Sequence, residues 1–424
     1  MIILSNGFPA NMPNSEEISQ GGPANFARLF VGHIVSSTSH KWIGVMFNTS
    51  ESSKISLNKA LSLSQRDYFK LNVPKELFRK IVLAKKNDNP YKILRSPIER
   101  IASLIKREKP DVVFLNGFGL FNWILLKAAE QTNTPVVIQH AGIWSKELRL
   151  HRHLYSSAGL KIMEEMEKES TRVSLAEVFL NSWSRDYYKK HVAKKINQNA
   201  PIIPLPFDFA SFSGNSENCH KTVFSGSKNI LRIGTIARWD KIKNHKVFLS
   251  LSKLASKKSL PWRFYSVVKI PDDHRSKKTY KKNIFSISSL NRAGISDFCQ
   301  SMDLLVLPSL FDVSPTVVLE AIATNTPIVI SQNVGYVNDF IEHGAEDWVI
   351  DFSNSCRALK KIQKILKRPM PESLKKYIAE NHDYKKVFSS YLNLFASVSK
   401  KNNYGALRIR QRGYSSSFKI INVV

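Results

Sequence analysis

Short, uniformly apolar runs recur along this chain, separated by longer segments in which apolar and charged positions mix. In the first half the runs are Met1–Leu4, Trp42–Phe47, Asp111–Leu115, Val136–Gln139 and Glu177–Leu180. In the second half they are Ile230–Ile236, Trp262–Val268, Leu304–Leu307 and Ile328–Ile330. Runs of this length, rich in Val, Ile and Leu, suit strands buried on both faces of a parallel sheet. Between them, Ala24–Phe30, Ile93–Lys106, Trp123–Glu130, the charged stretch through Ser170 and His245–Ala255 have helical character. A further helix is expected near Ser64–Phe69, inside the polar, Lys/Arg-rich segment 48–107. Strands alternating with helices predict an α/β fold with a mostly parallel sheet.

The alternation is interrupted once. Pro201, Pro204 and Pro206 precede the linker-like FDFASFSGNSEN, which places a boundary between about Ile202 and Lys228. The organisation expected is a Rossmann-like domain over residues 1–205 and a second over 206–400, its last helix free to cross back. A basic tail spans 401–424. Two such domains, each doubly wound, face each other across a central cleft at the carboxyl ends of their sheets.

Three groups of residues fall at those ends. Leu304–Ile330 reads as one βαβ unit whose loop holds Asp312, Ser314, Pro315 and Thr316, with Glu320 in the following helix. Unpaired N–H groups at a helix start suit a phosphate, and acids beside it suit sugar hydroxyls; a buried unit with two incidental acids fits the same spacing. Arg238 and Lys243 follow Ile230–Ile236 in ARWDKIKNH. They are placed to neutralise a diphosphate, or they form an ordinary basic loop. His140 closes Val136–Gln139 in a QHAG turn, where it either hydrogen-bonds a sugar hydroxyl or polarises an acceptor, or is satisfied by backbone.

Composition narrows the class. A chain of 424 residues, 43% hydrophobic and 23% charged, is a folded globular protein and not a disordered one. Three cysteines without metal-ligand spacing argue for a reducing compartment. No run approaches the roughly 18 apolar residues of a membrane span, and the opening MIILSNGFPAN is too short for a signal peptide. A cytoplasmic protein is expected. The outlier is charge: 63 Lys and Arg against 34 Asp and Glu leave +29, which favours a polyanionic neighbour such as an acidic substrate, anionic lipid or nucleic acid.

In combination the pieces resemble the family 4 retaining glycosyltransferases of the GT-B fold. That family has an acid, seven residues, then Glu, as in EGSPNVVLEAMACGTPVV; this chain has DVSPTVVLEAIATNTPIVI from Asp312 to Ile330. Arg238 and Lys243 match the family's Arg and Lys, PLPFDFASF resembles its interdomain segment, Gly21-Gly22 its glycine pair and QHAG its histidine turn. The resemblance implies transfer of a sugar from a nucleotide-sugar donor to a hydroxyl of a glycan or lipid-linked acceptor. It implies no metal and no other cofactor; the product class expected is cell-surface polysaccharide, lipopolysaccharide or glycolipid, the lipid part resting on the basic surplus. Donor binding would fall to Gly22, Arg238, Lys243, the backbone of Thr316, Val317 and Val318, and Glu320 at the ribose. His140 and Asp312 would carry the catalytic roles. Asp312 in place of the family's usual Glu withdraws the carboxylate by roughly 1.5 Å, and Asn325 replaces a frequent Gly. The basic surplus suggests peripheral contact with anionic membrane. The alternatives are a basic nucleic-acid-binding protein, which the lack of interleaved aromatic residues disfavours, and a non-catalytic partner of the same fold.

Overall fold

In the computed structural model, residues 1–7, 22–213, 230–272, 277–366 and 368–405 are described. The N-terminal loop with Gly21, the latter part of the linker and the tail beyond 405 lie outside them. The first sheet contains β1 (Ile2–Asn6), β2 (Lys41–Ser50), β3 (Ser56–Leu63), β4 (Arg66–Pro74), β5 (Val112–Asn116), β6 (Val136–His140) and β7 (Ala176–Phe179). Its order is β3-β4-β2-β1-β5-β6-β7, parallel except for β3 against β4. The second contains β8 (Leu231–Ile236), β9 (Trp262–Val267), β10 (Phe285–Ile287), β11 (Leu304–Leu307), β12 (Ile328–Ser331) and β13 (Val349–Ile350). It is parallel throughout, in the order β10-β9-β8-β11-β12-β13. Every residue of β5, β6, β7, β11 and β12 is buried, which is why these strands read as short, mainly apolar runs.

The helix expected near Ser64–Phe69 does not form. Ser64 and Gln65 turn the β3–β4 hairpin, Arg66–Phe69 open β4, and Tyr68, Phe69, Leu71 and Val73 are buried along it. The hairpin is fixed by Asp67, only 2% exposed, which takes Lys41 at 2.7 Å, Lys59 at 2.9 Å and the Ser62 hydroxyl at 2.6 Å. Burial works against this carboxylate, but its cationic and hydroxyl partners outweigh that cost and hold its pKa down at about 2. β3 is an edge strand with a largely exposed face, so its composition reads as surface.

The chain passes between the two halves twice. The outward crossing runs through Leu205 and Phe207, and the return runs through His382 and Asp383. The two are hydrogen-bonded: Phe207 N–H donates to His382 O at 2.7 Å, and His382 Nδ1 donates to Leu205 O at 2.7 Å. The last helix, Tyr384–Gly405, then lies on the first domain. Its Phe388, Tyr391 and Phe395 pack on Phe26, Phe30 and Phe114 with ring centroids 4.9–5.1 Å apart at the closest pairs. Aromatic pairs in this arrangement add about 0.5–1.5 kcal/mol each beyond area burial.

Candidate active site

The segment after β8 is locked by its own polar side chains. Asp240 accepts from the Ile242 N–H at 2.8 Å and opens a single turn, Lys241–Lys243. Asn244 ends that turn in the left-handed region at φ 55° and donates to Pro308 O at 3.1 Å. His245 Nε2 donates to Arg238 O at 2.7 Å, its ring stacked on Trp239. This frame holds Lys243 against Asp312, whose carboxylate it pairs with. Arg238 is exposed, and its guanidinium makes no ion pair among the described residues.

Asp312 is set by backbone as well. Its N–H donates to Asn333 O at 3.1 Å and its carbonyl accepts from Gly335 N–H at 2.8 Å. Gly335 has to be glycine: a Cβ there would lie 1.9 Å from Val313 O and 2.6 Å from Asn181 Nδ2. Asn181, from the first domain, donates to Val313 O at 2.7 Å. Trp183 and Tyr187 of the same domain pack on Phe311 at 5.3 and 5.1 Å. The acid-bearing loop is therefore gripped from both domains.

The helix Thr316–Ala323 begins at Pro315 without a side-chain cap, so its first N–H groups remain available as donors. Val318 is the exception, since its N–H reaches Pro315 O at 3.2 Å. Val317 and Val318 are buried, and Glu320 is one turn on from Thr316, whose side chain bonds its carboxyl. Burial pushes that carboxyl up to about 7, opposed by the Thr316 hydrogen bond and the charge of Arg292. Arg292 in turn donates to Asp208 O at 3.0 Å and Ser211 Oγ at 2.8 Å, tying this corner to the interdomain linker.

On the first-domain side the structure places the expected residues away from open solvent or without crowding. His140 ends β6 as read from the sequence, but its ring is fully buried and does not line the cleft. Nε2 faces Glu177 Oε1 at 3.0 Å, and the ring stacks on Phe179 at 4.7 Å. Burial would raise the Glu177 carboxyl, but hydrogen bonds from His140, Asn197 and Thr171 hold it below its ordinary value. Nε2 thus donates to a carboxylate, and the ring is anchored in the core. Gly22 opens the helix Gly22–Ser37, and a Cβ there would meet nothing within 4 Å; crowding does not demand glycine.

A residue that sequence reasoning missed faces the second domain. Glu147, on the helix Trp144–Leu150, lies in the field of Asp312, Arg238 and Lys243 from the opposite domain. Its Oε1 would be 2.5 Å from a Cβ on Gly142, so the glycine of the QHAG turn makes room for this carboxylate. Burial, then the nearby Asp312 charge, push it up to about 7 against the pull of Arg238 and Lys243. The end of the same helix is held to the second domain by Lys241, which donates to Leu150 O at 3.2 Å, and by His151 facing Asp240 at 3.3 Å. Glu147, Arg238, Lys243 and Asp312 therefore form one interdomain cluster, and Glu320 with Thr316 and Arg292 forms a second. Among the described residues there is no cluster of three His, Cys, Asp or Glu side chains able to hold a metal.

Residues 226–382 match the family model of glycosyl transferases group 1. The second domain carries the group 1 pattern. No match is found among curated protein sequences. The fold is similar to that of sucrose-phosphate synthase from Thermosynechococcus elongatus, at TM-score 0.69 and 12% identity, over 94% of this chain and 98% of that one. A UDP-forming alpha,alpha-trehalose-phosphate synthase from Burkholderia xenovorans, in complex with glucose-6-phosphate, gives TM-score 0.67 at 10% identity, over 94% and 99%. A trehalose-6-phosphate protein from E. coli bound with UDP-2-fluoro glucose gives 0.66 at 10%, over 93% and 98%. The group 1 pattern thus sits in a GT-B architecture, two Rossmann-like domains facing a central cleft.

Proposed function

We propose that this protein is a glycosyltransferase that moves a sugar from a nucleoside-diphosphate sugar to an acceptor hydroxyl with retention of configuration. The observation that carries the reading is the Lys243–Asp312 pair beside Arg238 and the uncapped start of the helix Thr316–Ala323. Cations and N–H donors converge where a leaving diphosphate needs charge neutralised, and no metal is required for that task. With a donor present, Lys243 and Arg238 take the diphosphate, joined by the N–H groups of Thr316 and Val317. Asp312, released from Lys243, accepts from the sugar hydroxyls. Glu320, once ionised, accepts from the ribose hydroxyls. His140 and Glu177 hold the floor of the first domain beneath the acceptor.

The solved structure with UDP-2-fluoro glucose supports a nucleotide-sugar donor, and the one with glucose-6-phosphate supports a carbohydrate acceptor. The product class we assign is a cell-surface glycan or glycolipid. The surplus of +29 fits peripheral docking on anionic lipid at the inner face of the plasma membrane; no helix among the described residues is long and apolar enough to cross a membrane. Salt-sensitive flotation with anionic vesicles tests that docking.

The test of the activity is donor turnover across a panel of nucleotide sugars, with wild-type protein, Lys243→Ala and Asp312→Asn. Turnover of one donor, reduced about a hundredfold in both variants, is expected. Undiminished turnover in both removes the site, and absence of nucleotide binding across the panel removes the function.

A further inference from the structure

The helix Trp144–Leu150 has a second face. Trp144 and Leu148 line a cavity of about 360 Å³, walled by Phe78, Phe121 and Met163, within the size range of small-ligand sites. Its walls are mostly hydrocarbon and aromatic ring. Of its polar lining groups, Lys75 is bonded at 2.6 Å to the exposed Glu51. Tyr155 lies within the field of Glu147. Glu147 shares its helix with Trp144 and Leu148 of the cavity wall and lies in the field of Tyr155 on that wall and of Arg238, Lys243 and Asp312 in the opposite domain. An acceptor hydroxyl resting on the Glu147 carboxyl would be at the donor cluster, and whatever is attached to that hydroxyl would extend toward the cavity.

We propose that this cavity binds the alkyl chain of an amphiphilic acceptor, a sugar or alcohol joined to a hydrocarbon tail, with its hydroxyl held by Glu147. This assignment rests on the glycosyltransferase reading and adds the acceptor class. A sugar phosphate fits the cavity poorly: a phosphate among these walls would lose its hydration against two hydroxyls, Thr49 and Tyr155, and one cation, Lys75, that is already paired. An alkyl chain instead gains by leaving water, by roughly 0.8 kcal/mol per buried methylene. The raised pKa of Glu147 fits a carboxyl in the low-polarity margin of such a site.

The experiment is calorimetric titration of the full chain with octyl glucoside below its micelle concentration, with glucose, with glucose-6-phosphate and with UDP. The variants are Leu148→Gln and Trp144→Ala, each checked by its melting curve, and Lys75→Ala at the rim guards against a folding defect in the other two. Octyl glucoside binding at least tenfold tighter than glucose is expected, with that preference cut at least fivefold in Leu148→Gln or Trp144→Ala and UDP affinity unchanged. Equal affinity for octyl glucoside and glucose, tighter binding of glucose-6-phosphate, or a tail preference untouched by both cavity variants overturns the proposal. In each of those outcomes UDP binding leaves the glycosyltransferase reading standing; loss of UDP binding in the wild-type protein overturns both.

Discussion

Glu320→Gln separates the stability of this fold from its use. The carboxyl is buried, and its pKa rises from 4.5 to about 7. A raised acid is neutral in the fold at low pH and must be ionised at a cost as the pH climbs. The cost is therefore absent below 4.5, grows through the interval and is complete above about 7. At about 1.4 kcal/mol per pH unit the full span is worth about 3 kcal/mol. Between pH 5 and pH 8 the linkage relation places about 2.5 kcal/mol of it. Gln keeps the shape and a partner for Thr316 but never ionises, so the variant gains on the wild type by that amount between the two pH values. Guanidinium unfolding of both proteins at pH 5 and pH 8, followed through the transition of the second domain, measures the difference. A Gln advantage that is equal at both pH values refutes the reasoning. The same substitution is expected to weaken nucleotide binding, because the neutral amide cannot accept from both ribose hydroxyls as a carboxylate can. A residue kept at a cost to the fold is accounted for by what it does when ligand arrives.

Three further outcomes follow from the geometry. Burial pushes His382 down to about 4 from 6.5, so its stability contribution is complete above 6.5 and is lost as pH falls toward 4. His382→Gln should lose about 2 kcal/mol less than wild type between pH 7 and pH 5 in denaturant titrations, and parallel losses would sink the idea. Gly335→Ala drives a methyl into Val313 O and Asn181 Nδ2, and should cost about 1–3 kcal/mol and lower donor turnover; an unchanged melting temperature argues against the close packing. Phe388→Ala empties the aromatic contact with Phe26 and Phe30, with an expected cost of about 3–5 kcal/mol and faster proteolysis of the last helix; wild-type resistance to protease would contradict it.

The parallel core was legible because its strands are buried on both faces, which leaves runs such as VVFL and LLVL with no polar interruption. Asn325 in the family's glycine position was legible for a similar local reason: its φ of 55° is one that Asn tolerates. The β3–β4 hairpin was not, because half its residues face water and its anchor, Asp67, looks like any surface acid until Lys41 and Lys59 close on it. His140 and Glu147 show the limit within the candidate site. Sequence placed a histidine at the end of β6, but the direction of its ring depends on Glu177, 37 residues away on the next strand. Glu147 gave one faint signal, an acid in the first turn of the helix after a glycine-containing turn. Its partners come from the other domain, and no local spacing encodes the approach of two domains.

The paired crossings at Leu205–Phe207 and His382–Asp383 have a mechanical consequence. A single flexible tether would let the domains swivel in any direction, as on a ball joint. Two strands laid side by side, joined by the Phe207–His382 and His382–Leu205 hydrogen bonds, act as a hinge with one axis. A rotation about that axis would part Trp183 and Tyr187 from Phe311. The reverse rotation would return the same residues to the same register, which a single tether would not ensure.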